Sequence, residues 1–168
     1  SQNAGFVVDI EFVADHDGRA VIRPAAFIAP DDMGVRHVAI AARLDGLDPA
    51  DRSLIADAAV LGQSFTVDGL AAVSGLERSA VEDQLRPLVR REIVQLDVDP
   101  RSPERGMYAF VQALIREVAY ATLAMRDRRT KHLAAARFFE SLDDQELAGA
   151  LAAHYLAAYR AAPTGPEG

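Results

Sequence analysis

Four histidines, 25 carboxylates and one lysine bound the acid–base and phosphate chemistry open to this chain. Cysteine is absent, so no thiolate nucleophile, thiolate zinc site or disulfide can form. That usage fits a reducing compartment, and a cytoplasmic location is expected. His16, His37, His132 and His154 each lack a second histidine four residues away. No helix face therefore offers two imidazoles to a metal. The phosphate-cradling string Gly-x-x-x-x-Gly-Lys-(Ser/Thr) does not occur, and Lys131 is the only lysine, so these residues alone are not expected to hydrolyse ATP. Gly-x-Ser-x-Gly is missing too. Asp15-His16-Asp17 has the composition of a proton relay or metal cluster, but Gly18 follows and the string reads as a solvated turn. Asp143, Asp144 and Glu146 read as a helix cap and a complement to its dipole rather than a cation chelate. His154 lies on an apolar stripe and reads as a packing histidine. What remains is one basic run, Arg126, Arg128, Arg129 and Lys131, crossed by Asp127. It suits nucleotide phosphates, nucleic acid or an acidic partner domain, or else is a solvated helix face. No catalytic residue, metal or resident cofactor is expected, and a stand-alone enzyme is the least supported reading.

The elements that must position these groups belong to a chain of 168 residues, half of them hydrophobic and 26% charged, enough to bury a core without metal or disulfide. The 18 basic and 25 acidic residues give a net charge of −7, which disfavours a bulk polyanion binder. The charge is uneven: residues 1–47 carry 4 basic and 7 acidic groups, residues 48–112 carry 7 and 11, and residues 113–168 carry 7 of each. No apolar run approaches the length of a membrane span. Ser1-Gln2-Asn3-Ala4 has neither an initiator Met nor the pattern of a signal peptide, and is expected to be a cloning remnant on a piece of a longer protein.

Phe6, Val8, Ile10 and Phe12 alternate with Val7, Asp9, Glu11 and Val13, and Asp17-Gly18 precedes Ala20-Val21-Ile22. This predicts a β-hairpin, with a helix stub from an upstream domain as the other reading of residues 6–13. Pro30-Asp31-Asp32 opens a helix that runs to about Leu44 and ends at Gly46. Asp48-Pro49 opens the next, with Leu54, Ala58 and Leu61 on its apolar stripe and Gly62 as its stop. A short helix from Thr66 or Val67 to Val73 ends at Ser74-Gly75. The following helix begins near Arg78-Ser79, where Ser79 and Glu82 have capping-box spacing. Val81, Leu85, Leu88 and Val89 share one face of it, and Pro87 should bend it. Residues 93–98 read as a strand, residues 99–106 as a loop, and residues 107–111 as the returning strand. Three short helices followed by a hairpin is the element order of a winged helix-turn-helix domain, with 99–106 as the wing.

Beyond residue 112 three helices are predicted, 113–124, 126–142 and 144–161, joined by short polar links that favour antiparallel neighbours. Leu147, Leu151 and Tyr155 lie on the stripe of the last, whose alanine-rich faces suit a helical repeat covered by a next unit. The expected fold is mainly α with small β-hairpins. Residues 1–30 form a hairpin or the torn edge of an upstream domain, 31–112 a winged helix with a leading helix, 113–162 a helical segment, and 163–168 a disordered tail.

The strings Ile40-Ala-Ala-Arg-Leu-Asp-Gly-Leu-Asp-Pro-Ala-Asp-Arg-Ser-Leu54, Ala58-Ala-Val-Leu-Gly62, Phe110-Val-Gln-Ala-Leu-Ile-Arg-Glu-Val-Ala-Tyr120, Leu133-Ala-Ala-Ala-Arg-Phe-Phe139 and Leu151-Ala-Ala-His-Tyr155 run from residue 40 to residue 155. Together they resemble the segment that follows the P-loop domain in STAND-type signalling ATPases. The most similar variety is the kind fused to class III adenylate/guanylate cyclase domains or to LuxR-type regulators. The resemblance implies a winged helix leading into tetratricopeptide-like repeats, with ATP or ADP bound in the parent protein and none in this segment. It also implies that the winged helix packs on its own chain's ATPase domain and reports nucleotide state. The family pattern there is Phe-x-His-x-Leu-(Ile/Val)-Arg. In Phe110-Val111-Gln112-Ala113-Leu114-Ile115-Arg116 the histidine is replaced by Gln112, an amide that can donate to a phosphate but cannot titrate. By resemblance Gln112 and Arg116 are the nucleotide-proximal pair.

The function expected is therefore a regulatory, signal-transmitting segment. Its expected partners are the upstream ATPase domain, proteins bound by the helical repeats through Arg126, Arg128, Arg129, Lys131, Leu147, Leu151 and Tyr155, and a second copy paired through residues 144–162. The competing function is a DNA-binding regulator. Arg86, Arg90 and Arg91 favour it, and Glu77, Glu82 and Asp83, where base-reading residues enter the groove, oppose it. Neither nucleic acid nor a membrane is an expected partner.

Overall fold

The computed structural model describes residues 10–14, 20–24 and 30–162 of the chain, in two units, 1–36 and 37–168. In the first, β1 (Ile10–Ala14) pairs antiparallel with β2 (Ala20–Pro24), setting Phe12 opposite Ile22 and Ala14 opposite Ala20. Those are the strands the alternation predicts. The Asp15-His16-Asp17 string and the 163–168 tail lie outside the described residues.

The second unit is mainly helical around a small antiparallel sheet. From helix α1 (Pro30–Asp45), whose residues from His37 onward belong to this unit, Ile40 and Leu44 join the core. Helix α2 (Pro49–Leu61) starts on Pro49, whose missing N–H is one that a helix start leaves unbonded anyway. Asp48 holds the cap position but its side chain makes no cap bond. Every residue from Leu54 to Val60 is buried, so α2 is the central helix, and Gly62 (φ 137°) ends it in a conformation that side chains disfavour.

Helix α3 (Val67–Ser74) is capped at both ends. The Thr66 hydroxyl accepts from the Gly69 N–H at 3.0 Å, and Gly75 (φ 75°) donates its N–H to Ala71. Gly69 is buried, and a Cβ there would lie 3.2 Å from Phe138, so its bareness lets the two chain segments close. Thr66→Ala removes the cap acceptor and is expected to cost about 1 kcal/mol in urea unfolding. A variant indistinguishable from the parent would show that the cap contributes nothing.

Helix α4 (Arg78–Arg90) corrects the sequence reading at its start. Glu77, not Ser79, holds the cap position, and the Ser79–Glu82 box does not form. Glu82 is instead taken by Arg78, whose Nε donates to it at 3.1 Å. Pro87 lies inside α4, which continues to Arg90. Val81, Leu85 and Leu88 are fully buried, the face that the 3.6-residue periodicity marks out.

The sheet holds one strand that the sequence does not announce. Strand β3 (Ser64–Phe65) pairs with β5 (Tyr108–Phe110), which pairs with β4 (Val94–Leu96), in the order β3-β5-β4. The Gln63 side chain extends this ladder by donating to Phe110 O at 2.8 Å, while Phe110 N donates to Gln63 O. Phe65 and Phe110 meet with ring centres 5.8 Å apart, over a core that includes Leu54, Ile55, Leu70, Leu85, Leu88, Val94 and Ile115. Each such side chain contributes roughly 1.5–3 kcal/mol by leaving water.

The β4–β5 loop is built by its own polar residues. Asp97 accepts from the Asp99 N–H and the Ser102 hydroxyl, Asp99 accepts from the Arg101 N–H, and Gly106 (φ 83°) closes the return. The Ser102 hydroxyl and the Asp99 amide hold the Asp97 carboxyl below its usual range. After the sheet come α5 (Ala113–Ala121), α6 (Met125–Ser141), a 3-10 turn (Gln145–Leu147) and α7 (Ala148–Arg160). The helix expected over 144–161 is thus split, because Asp144 caps the short turn by accepting from the Glu146 N–H.

Candidate functional site

The polar residues left over from the core converge on the seam between α5, α6 and α7. Met125 and Arg128, early in α6, share a groove with Leu156 and Arg160, late in α7, so the two helices run antiparallel. His132 projects from the middle of α6 and His154 from the middle of α7, and both are buried. Their Nδ1 atoms face each other at 3.0 Å. The other nitrogen of His132, Nε2, is 2.8 Å from the Tyr120 hydroxyl at the end of α5. Phe139 stacks on the His154 ring with centres 5.3 Å apart, and the Arg128 guanidinium lies 4.6 Å above the Tyr120 ring. The result is a chain from a half-buried phenol, through one imidazole, to a second imidazole sealed under an aromatic ring.

Burial lowers the His132 pKa to about 4, helped by His154 and by the positive charges of Arg116 and Arg128. Burial likewise lowers His154, with Arg116 adding to it. Both rings are neutral at pH 7, and one of the two facing Nδ1 atoms must carry the hydrogen while the other accepts it. Among the described residues no group of three histidine or carboxylate side chains is placed to hold a metal. The paired histidines are 22 residues apart in sequence, so no i,i+4 spacing announces them. The packing role read for His154 is what the structure shows; its histidine partner is the new element.

Lys131 corrects the reading of the basic run. Its side chain turns inward, and Nζ sits 2.9 Å from Asp57 Oδ2 on α2 and 3.2 Å from Val73 O on α3. Asp57 is 3% exposed and the Lys131 side chain 24% exposed, so the pair is a largely buried tie between three helices. Arg126 and Arg129 are exposed, and Arg128 is half-buried on Tyr120. Leu147 and Leu151 are half-buried, while Tyr155 is exposed with its hydroxyl 3.4 Å from Glu140. Leu156 and Tyr159 also stand in solvent, Tyr159 at 78% exposure.

Gln112 is exposed at the cap position of α5, its side chain making no cap bond. Arg116 is half-buried and donates from Nε to Ala59 O at 3.1 Å, tying α5 to α2.

No helix among the described residues is long and apolar enough to cross a membrane. No family model, curated protein or solved structure matches the chain.

Proposed function

We propose that this chain is a non-catalytic, signal-transmitting segment of a STAND-type ATPase, a winged helix leading into tetratricopeptide-like helices. It docks on the nucleotide-binding domain of its own chain and presents the helical part to protein partners. The observation that supports it best is the element order: three helices, α2 to α4, then a β-hairpin whose second strand is the centre of a β3-β5-β4 sheet, then an antiparallel helix pair. The resemblance carried by residues 110–120 supports the same reading. Gln112, exposed at the start of α5, is the residue free to meet a nucleotide held elsewhere.

The electrostatics of α4 favour a protein partner over DNA. Arg78 is held by Asp68 and Glu82, and Arg86 by Asp83 at 3.2 Å. Those two cations are neutralised locally, leaving Arg90 and Arg91 without an ion pair among the described residues, and the β4–β5 loop sets Asp97, Asp99 and Glu104 against Arg101 and Arg105. A DNA-reading surface needs a positive excess at both places. The expected result is association with the upstream ATPase domain in a nucleotide-dependent titration, with no anisotropy change on duplex DNA at low salt, where electrostatics are strongest. Failure to associate under every nucleotide condition would overturn the docking reading. Duplex binding at low salt would replace it with the DNA-binding regulator, which the same element order favours.

A further inference from the structure

The groove at the open end of the α6–α7 pair combines an exposed apolar wall with guanidinium groups. Its volume is about 360 Å³, and Met125 and Leu156 line it with half their surface in water. Arg128 and Arg160 line it too, and Arg126 and Arg129 flank it in sequence. Among the described residues neither Arg128 nor Arg160, the two groove guanidiniums, makes an ion pair with a carboxylate. Asp127 is the one carboxylate within residues 125–132. A chain of net charge −7 thus sets two guanidinium groups without ion pairs, Arg128 and Arg160, at an exposed apolar cleft.

Arg128 is also held in place. Its guanidinium lies over the Tyr120 ring and its Nη2 reaches Ala121 O at 3.4 Å, so it loses little freedom on meeting an anion. Arginine, tyrosine and methionine around an apolar centre are the composition of protein-binding surfaces, and a planar guanidinium is matched to a carboxylate.

We infer that this groove binds an acidic peptide segment of a partner protein, placing one apolar side chain between Met125 and Leu156 and its carboxylates on Arg128 and Arg160. This rests on the proposal that the helical part serves protein partners, and it adds the chemistry of the partner. Charge complementarity selects the occupant. A second copy paired through the same groove would bring like cations to it, and two guanidiniums in a chain of net charge −7 are too few for phosphate-driven nucleic-acid binding.

The test is a fluorescence-anisotropy titration of the full chain with a labelled peptide in which Glu and Asp flank a central Leu-Phe pair. Binding is expected. It should weaken at least tenfold for Arg160→Glu and for Leu156→Asp, weaken with added salt, and be unchanged for Arg86→Glu on α4. Replacing Leu-Phe by Ser-Ser in the peptide should abolish it. Any of the following would overturn the inference: no binding; equal binding by Arg160→Glu or Leu156→Asp; equal binding of the Ser-Ser peptide; or an oligothymidylate that binds as tightly with the same dependence on Arg160 and Leu156. Concentration-dependent sedimentation abolished by Leu156→Asp, with peptide unable to compete, would give the groove to a second copy and likewise overturn it. Because the ATPase-domain titration reads a different surface, loss of docking with peptide binding retained sinks only the earlier proposal, and the reverse sinks only this one.

Discussion

Lys131→Met is expected to destabilise the chain by about 3–5 kcal/mol at neutral pH, because it strands the Asp57 carboxylate in the core without a cation. Asp57 sits in the fully buried stretch of α2, and Lys131 Nζ is its hydrogen-bond partner at 2.9 Å. Burial raises the Asp57 pKa, Lys131 pulls it back, and Asp127 pushes it up again; the net direction is upward from 3.8. Desolvation therefore outweighs what the lysine returns, and the pair is a costly feature made tolerable by its geometry. Two consequences separate this from a simple loss of contact. The double variant Asp57→Leu with Lys131→Met should recover most of the loss, since an apolar pair of similar volume carries no desolvation cost. The penalty of the single variant should also shrink as pH falls. With its folded pKa above the unfolded value, Asp57 takes up a proton first in the folded state, and without Lys131 it does so at higher pH, relieving the buried charge. Urea unfolding of the parent, both single variants and the double at pH 7 and pH 5 measures both. A Lys131→Met cost below about 1 kcal/mol, or a double variant no better than the single, would mean that Asp57 is effectively solvated.

The same lysine shows where the sequence is readable and where it is not. Helix positions were legible because each carries a local signal: Pro49 after Asp48, Gly62 and Gly75 as stops, and the Val81/Leu85/Leu88 stripe. The two longer strands of the sheet were legible as apolar runs around a proline-rich loop. Strand β3, two residues long, has no periodicity to detect, and it exists because Gln63 and Phe65 find β5 across more than 40 residues. The Ser79–Glu82 box was a matched pattern that lost to a local competitor, since Arg78, four residues before Glu82 on the same helix, engages both Glu82 and Asp68. Lys131 sits in a charged run that reads as one face, yet a turn of helix is enough to aim it at α2 while Arg126 and Arg129 stay in water. The groove and the histidine pair depend wholly on how α6 and α7 are set against each other. Apolar periodicity announces that they pack, but not which polar side chains meet.

That meeting gives the helix pair a requirement for neutrality, and with it a defined sensitivity to acid. His132 and His154 share one hydrogen between two Nδ1 atoms 3.0 Å apart, so adding a second would bring two N–H groups face to face in a buried site. Arg116 and Arg128 oppose the added charge, and Tyr120 occupies the remaining nitrogen of His132. The sign follows from the folded pKa of about 4 against 6.5 for an exposed imidazole. The unfolded chain binds the proton first, so stability is fully present above about pH 6.5 and declines as pH falls toward 4. His132 alone accounts for about 2 kcal/mol lost by pH 5 and about 3 kcal/mol by pH 4, and the lowered pKa of His154 acts in the same direction. Urea unfolding at pH 7.5 and pH 5 should show this difference, and His132→Phe with His154→Phe should flatten it to within about 1 kcal/mol. The imidazole resonances of His132, followed by NMR, should hold their neutral positions down to pH 5. If the double variant kept the full slope, or if His132 titrated near 6.5 in the folded chain, the pair would not be the acid-sensitive element. Tyr120 gives the effect a control, because it bonds His132 on one side and lines the groove beneath Arg128 on the other. Since the folded His132 stays neutral down to pH 5, its protonation should not perturb the groove through Tyr120 between pH 7.5 and pH 5, even as stability to urea declines.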